Sequence, residues 1–350
     1  MVNKKLIILF FCILTQSVRA QIFETHLMSI SGSLPEGITS DRVCVVIHQM
    51  PEVEDQMLAQ KLHINLKAMG IDAIKYLYHD QLYGGQDVYR KTLAALQKRH
   101  IRVLMFLEIS TQGFALTIGT LNAAKWVDFR AKAWQAKGQT MNEVLIRLAN
   151  KMKTLDLPYS NYLIPDSPEF STQIRLFSGT HFPRYPTQLK RFPLAVSLFP
   201  SLTVDGAFLN DQQRAYLFQY NERIALKNAR IQEIFSDYPY KVEFLKDQSD
   251  AGFYKNRYQY VLRYAYMPGE ELRTALGYKL DPSQTQYIST VPVDGNRTLK
   301  TLDKQKKVYK FYIQKTANGD LYAGRYYDAD KTWEDALYNF KTLMMAQFKK

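Results

Sequence analysis

Residues 155–191, LDLPYSNYLIPDSPEFSTQIRLFSGTHFPRYPTQLKR, decide how the chain is read. The stretch holds five of the thirteen prolines and shows no sustained hydrophobic period. Proline fixes its own φ and turns the preceding residue away from helix, so the run is extended or turn-like. It exceeds the roughly 12–15 residues at which an unstructured connection inside one compact domain becomes uncommon. It therefore reads as an inter-domain connector, with a strand and helix alternation on either side.

Upstream, RVCVVIH (42–48) is a continuous β-branched run of the kind that marks a strand covered on both faces. Residues 52–69 place Val53, Met57, Leu58, Leu62, Leu66 and Met69 at helical spacing. A strand follows at 71–78, a helix at 88–98 after Gly84-Gly85, and a third buried strand at 101–109. Residues 114–121 and 126–134 alternate as a strand pair, and Thr140 caps a helix over 141–152.

Downstream the pattern begins again. Strands are expected at 192–199, 241–245 and 258–266, a long helix at 211–235 and a short helical turn near 250–256. A hairpin turns at Asn318-Gly319-Asp320 between 308–314 and 321–327. Thr332 caps a closing helix over 333–348. The segment 267–307, rich in Pro, Gly and Gln and without clear periodicity, reads as an insertion. The expected class is α/β: two similar domains, each a mixed sheet backed by helices in β-α-β-α-β-β-β-α order. The domains span 42–154 and 192–350, preceded by a polar arm at 21–41, and are expected to come from an internal duplication.

This order of elements resembles a class of bacterial envelope domain, the N-terminal domain of the TolB family and the periplasmic domain of the CsgG family. The resemblance covers 42–153 and 192–348. It implies a short mixed sheet backed by helices and a role in assembly, binding or scaffolding.

The amino terminus gives the compartment. Lys4 and Lys5 precede an apolar run, LIILFFCIL (6–14), and Val18-Arg19-Ala20 offers a small-residue cleavage site before Gln21. Residues 1–20 read as a signal peptide, the run being about half of the ~20 residues a membrane span needs. The expectation is an exported protein, periplasmic or associated with the outer envelope of a bacterium, or extracellular, with no transmembrane span after cleavage. Only Cys44 then remains, so no internal disulfide can form, and within VCVVI it reads as a small buried hydrophobe. The formal charge of +13 falls to +10 without the leader, which favours an acidic partner: an envelope protein surface, an acidic glycan or a lipid headgroup. Export argues against nucleic acid, and no cofactor is expected.

The chain carries no G-x-S-x-G, H-E-x-x-H, Walker or G-x-G-x-x-G motif. Its six histidines show no metal-ligand spacing, so no metal is expected. Two constellations stand out. His48 follows the first strand, His79 and Asp80 the second, and Glu108 ends the third, all at carboxyl strand ends where α/β sheets bind ligands. A His–Asp pair there is the chemistry of a periplasmic hydrolase or transferase; turn and cap residues at strand exits are the plain alternative.

The second constellation is in the connector, where Arg175, His181, Arg184, Tyr185 and Arg191 gather cations beside Ser178-Gly179 as candidate ligand-binding residues. Its aromatics, worth about 1.5–3 kcal/mol each when buried, predict that 174–182 packs in a groove between the halves. Arg175, Arg184 and Arg191 would then line the edge of that groove. Tyrosines 254, 258, 260, 264, 266, 278 and 287 crowd the second half and suit a recognition face, or simply strands. The expectation is a non-catalytic envelope binding or scaffolding protein.

Overall fold

The computed structural model describes residues 24–49, 56–82, 84–121, 132–158, 160–161, 163–170, 179–204, 209–280, 283–284, 286–293 and 296–349. The expected leader 1–20 and the start of the strand expected at 126–134 lie outside them. The chain builds two six-stranded mixed sheets backed by helices, and one separate two-stranded hairpin.

The first half runs β1 (Ser29–Ile30), β2 (Arg42–Gln49), α1 (Gln56–Ala68), β3 (Asp72–Tyr78), α2 (His79–Leu82), α3 (Gln86–Lys98), β4 (Ile101–Ser110), β5 (Gly113–Thr120), β6 (Lys132–Gly138) and α4 (Met141–Lys153). Its strand order is β1-β6-β5-β4-β2-β3. Strand β2 is parallel to β3 and β4, the β4-β5-β6 run is antiparallel, and β1 lies parallel to β6. The unbroken apolar run of β2 follows from burial on both faces. Val43, Val45 and Ile47 pack with Leu62 and Leu66 of α1 and Val144 and Leu148 of α4. Cys44 and Val46 meet Leu82 and Leu96 on the other side. Burial pushes the Cys44 thiol far up, which fits a packing role.

The second half runs β7 (His181–Phe182), β8 (Leu194–Leu198), α5 (Asp211–Ile234), β9 (Val242–Lys246), α6 (Asp250–Lys255), β10 (Tyr260–Pro268), α7 (Gly269–Ala275), β11 (Gln286–Val293), β12 (Asn296–Asp303), β13 (Lys307–Lys315), β14 (Leu321–Tyr322) and α8 (Trp333–Phe348). Its order is β7-β14-β13-β10-β8-β9, the order of the first sheet position for position and with the same parallel and antiparallel senses. Helices α5 and α8 cover one face through Ile231, Ile234, Leu337, Phe340 and Met344.

Residues 267–307, expected as an insertion without clear periodicity, hold regular elements. They hold α7 and the β11–β12 hairpin, whose Leu272, Leu276 and Leu302 cover Ala265, Val308 and Tyr312 on the other face. Helix α7 has seven residues, under two turns, too few for a helical period to show in sequence.

The connector is divided between the halves. Its first part extends the edge of the first sheet: Tyr76 N–H donates to the Glu169 carbonyl (2.8 Å), Lys75 and Arg99 hold the Glu169 carboxylate, and Phe170 stacks on Tyr78. Its last part forms β7 and a 3-10 turn, Thr187–Lys190, leading into β8, as Glu36–Thr39 leads into β2. Phe182 stacks on Tyr322 at the outer edge of the second sheet, 5.0 Å between centroids, and not between the halves as expected. An exposed edge strand offers a two-residue segment both backbone pairing and a ring to stack on. Residues 171–178 lie outside the described residues.

The two carboxyl sheet edges face each other. Strand β8 pairs with β10 only over Tyr260–Leu262, which leaves the next part of the β10 edge open. The Gly84-Gly85 backbone fills it: Tyr266 N–H donates to the Gly84 carbonyl (2.7 Å). At Gly85, φ is +137° and a Cβ would stand 2.2 Å from the Tyr264 carbonyl oxygen, so only glycine permits this approach. Beside it the Arg263 guanidinium, with no exposed side-chain surface, reaches Asp247 at 2.6 Å, Asp250 at 3.0 Å and Asp87 of α3 at 3.7 Å. Arg90 bridges Asp87 and Asp247, and Lys307 pairs with Asp80.

Candidate functional site

Where the carboxyl ends of β2 and β4 meet the first turn of α5, the molecule leaves a cleft of about 770 Å³. His48 and Glu108 line its floor, opposite one another on neighbouring parallel strands. Side chains alternate along a strand, so both continue the face that carries Cys44 and Val46 on β2 and Leu104 and Phe106 on β4. The β4–β5 turn at Gln112 and the start of α4 form one wall, and Asn210, Gln213 and Tyr216 of the second half form the other. Asn210 and Gln213 cap α5 reciprocally, and Gln213 Nε2 also donates to the Met28 carbonyl (3.1 Å). The wall is thereby tied to the residue that precedes β1.

His48 is nearly buried, and burial lowers its imidazole to about 4, so it is neutral at neutral pH. A neutral imidazole both donates and accepts hydrogen bonds. Glu108 Oε1 accepts the Thr25 hydroxyl at 2.5 Å. Among the described residues two carboxylates, Glu108 and Glu143, are matched by two cations, Lys137 and Arg147. Amides and the rings of Phe114 and Tyr216 supply much of the remaining lining.

The other expected residues fall elsewhere. His79 stands edge-on to His48, 5.0 Å between centroids, but is not part of the lining; burial, then the neighbouring His48, lowers it to about 3. The Asp80 carboxylate points to Lys307 and takes no part in the cleft. Of the four strand-end residues, the cleft brings together His48 and Glu108.

The connector set is also separated. Arg175 lies outside the described residues. His181 is in β7 with its ring over Gly277, and Arg191 leaves the 3-10 turn on the surface. Arg184 and Tyr185 alone line a common cavity, of about 390 Å³, in the second half. The expected tyrosine face is divided: Tyr254 is exposed, Tyr258, Tyr264, Tyr266 and Tyr278 are half-buried, and Tyr260 is buried, the Tyr264 ring packing on Tyr309 and Phe311.

Sequence reasoning missed the α5 wall, for which the Asn210–Gln213 capping box was the only signal, and missed Arg297 and Arg325, which share the second cavity. The sequence matches no known protein family, and no curated protein is similar to it. Among the described residues no helix is long and apolar enough to cross a membrane.

Proposed function

We propose that this chain is an exported, non-catalytic binding protein of the bacterial envelope, formed by duplication of one α/β unit, and that its ligand lies in the cleft between the two carboxyl sheet edges. The observation that carries the reading is the make-up of that cleft. Amides, a neutral imidazole, balanced charges and two aromatic rings suit a ligand dense in hydroxyl and amide groups, such as an envelope glycan. The excess of basic residues favours an acidic envelope component as its source. The common strand order supports the duplication.

Calorimetric titration with soluble peptidoglycan fragments and acidic envelope polysaccharide tests the reading. Gln112→Ala and Tyr216→Ala should weaken binding about 10-fold, the effect of losing one good contact. Binding unchanged in both variants would move the ligand elsewhere. The adjacency of His48 and Glu108 favours one rival, a hydrolase working at the cleft floor. Turnover of chromogenic glycosides or esters, lost in His48→Ala and kept in Asp80→Asn, would replace the binding reading with that one.

A further inference from the structure

The cavity that holds Arg184 and Tyr185 is distinct from the cleft and has a different chemistry. Three segments far apart in sequence meet there: the loop after β7 with Arg184, the start of β12 with Arg297, and the loop after β14 with Arg325 and Tyr326. The last turns of α8 supply a floor of Leu343, Ala346 and Gln347. Three arginines line the cavity, and among the described residues no carboxylate does.

The arrangement is held from below. Gln347 bonds the Tyr185 backbone in both senses, Oε1 accepting from its N–H and Nε2 donating to its carbonyl, each at 3.0 Å. The buried Tyr185 ring packs against Phe340. Gly324, at φ +83°, lets the loop bearing Arg325 approach the Tyr185 hydroxyl, where a Cβ would stand 2.4 Å away. Arg297 and Arg325 lie against the same ring, with their guanidinium carbons 4.5 and 5.8 Å from the Tyr326 centroid, and Arg297 Nη1 donates to the Tyr326 hydroxyl (2.8 Å). The negative end of α8 does not account for these cations, since Lys190 Nζ already donates to the Phe348 carbonyl (3.1 Å). Like charges gathered on one ring repel unless an anion comes between them, and planar guanidinium forks match phosphate oxygens.

We propose that this cavity is a binding site for a phosphate monoester, with Arg184, Arg297 and Arg325 on the phosphate and the attached group over Tyr185 and Leu343. The cavity is of a size that takes a small organic body as well as the anion. The site is independent of the cleft ligand.

The test is calorimetry on the whole protein at low salt with inorganic phosphate, phenyl phosphate and benzoate, beside flotation with vesicles containing phosphatidic acid. Phenyl phosphate should bind more tightly than phosphate and well above benzoate. Arg297→Gln and Arg325→Gln should each weaken it about 10- to 100-fold, as loss of a charge-assisted contact does, and Arg325→Lys by less. Melting curves check that these surface variants are folded. Lys255→Gln, on α6 and away from the cavity, should leave binding unchanged. Binding to phenyl phosphate with silent vesicles identifies a soluble source. Arginine-dependent capture by the vesicles identifies a lipid headgroup. No binding of any phosphate probe at roughly 10 mM, or equal weakening by Lys255→Gln, would overturn the proposal.

Discussion

On the first sheet, the face opposite α1 and α4 is closed by α3, thirteen residues long, through Leu96 and its neighbours. On the second sheet the helix in the same position, α6, has six residues and contributes Phe253 to a cluster with Ala195 and Val261. The same strand order thus carries two different coverings. Where the second half lacks apolar cover, β10 places Arg263 between Val261 and Ala265, and the inserted α7 and hairpin close the rest. Arg263 draws two of its carboxylates from its own half and one, Asp87, from the other. Beside the short α6 lies the joint between the halves. The relation is reciprocal, for the aspartate beyond β3 or β9, Asp80 or Asp247, pairs with a cation of the other half, Lys307 or Arg90.

Removing Arg263 should break this relation most severely. Arg263→Ala leaves three carboxylates around an emptied, partly buried site, and breaking such a buried pair costs about 3–5 kcal/mol. Urea unfolding should show that loss, with faster trypsin cleavage between the halves. Adding Asp247→Asn to the variant should recover part of the stability. A loss under about 1 kcal/mol would mean that the halves are held by the other contacts between them, the backbone joint at Gly84-Gly85 and the pairs Lys307–Asp80 and Arg90–Asp247.

Acid should separate the halves by another route. His48 and His79 both belong to the first half, and their folded values, about 4 and about 3, lie below the ordinary value near 6.5. The unfolded chain therefore takes up protons first as the pH falls. Stability from the neutral imidazoles is whole above about pH 6.5 and is lost toward pH 4 for His48 and pH 3 for His79. At pH 5.5 each lies one unit below the unfolded value, about 1.4 kcal/mol, so the pair should cost near 3 kcal/mol relative to pH 7.5. Hydrogen exchange should report the loss in β2 and β3 before β8 and β9. Replacing both histidines with asparagine should flatten the dependence.

How much of this was legible follows from how local each signal is. The strand runs 42–48 and 101–109 and the Thr caps at 140 and 332 declare themselves within a few residues, and each forms as expected. The connector's prolines showed that it is extended, but not that its two ends join two different sheets, because β7 is two residues long and has no period. His48 and Glu108 were readable as strand ends. The face of α5 that completes their cleft lies more than 100 residues beyond either, and nothing local points to it. Arg263 was not singled out in its strand, and its partners Asp87, Asp247 and Asp250 come together only in the folded molecule.

The backbone joint should give the next effect in size. Gly85→Ala forces a side chain into a left-handed conformation and against the Tyr264 carbonyl, at a cost of about 2–3 kcal/mol. The equivalent change at Gly32, also at positive φ but with nothing within 4 Å, should cost less, about 1 kcal/mol. Similar losses at the two sites in thermal unfolding would show that conformation, and not the contact between halves, dominates at Gly85.

The smallest effect bears most directly on whether the halves are equivalent. Thr140 accepts from the Glu143 N–H at the start of α4, and Thr332 accepts from the Asp335 N–H at the start of α8. Both caps have extended backbone, both sit one residue before the closing helix of their sheet, and both have an acidic residue at the third helical position. An exposed threonine cap is worth about 1 kcal/mol against alanine, because one of the free N–H groups of the first turn loses its partner. Thr140→Ala and Thr332→Ala should therefore cost the same, about 1 kcal/mol each. They are far apart and share no partner, so the double variant should cost about 2 kcal/mol. The result to watch for is inequality. If Thr332→Ala costs markedly more, α8 depends on its cap more than α4 does, despite the larger apolar surface it buries through Leu337, Phe340 and Met344. The two closing helices would then resemble each other in sequence pattern and strand context without being equivalent in energy, and stability would be distributed differently over the two halves.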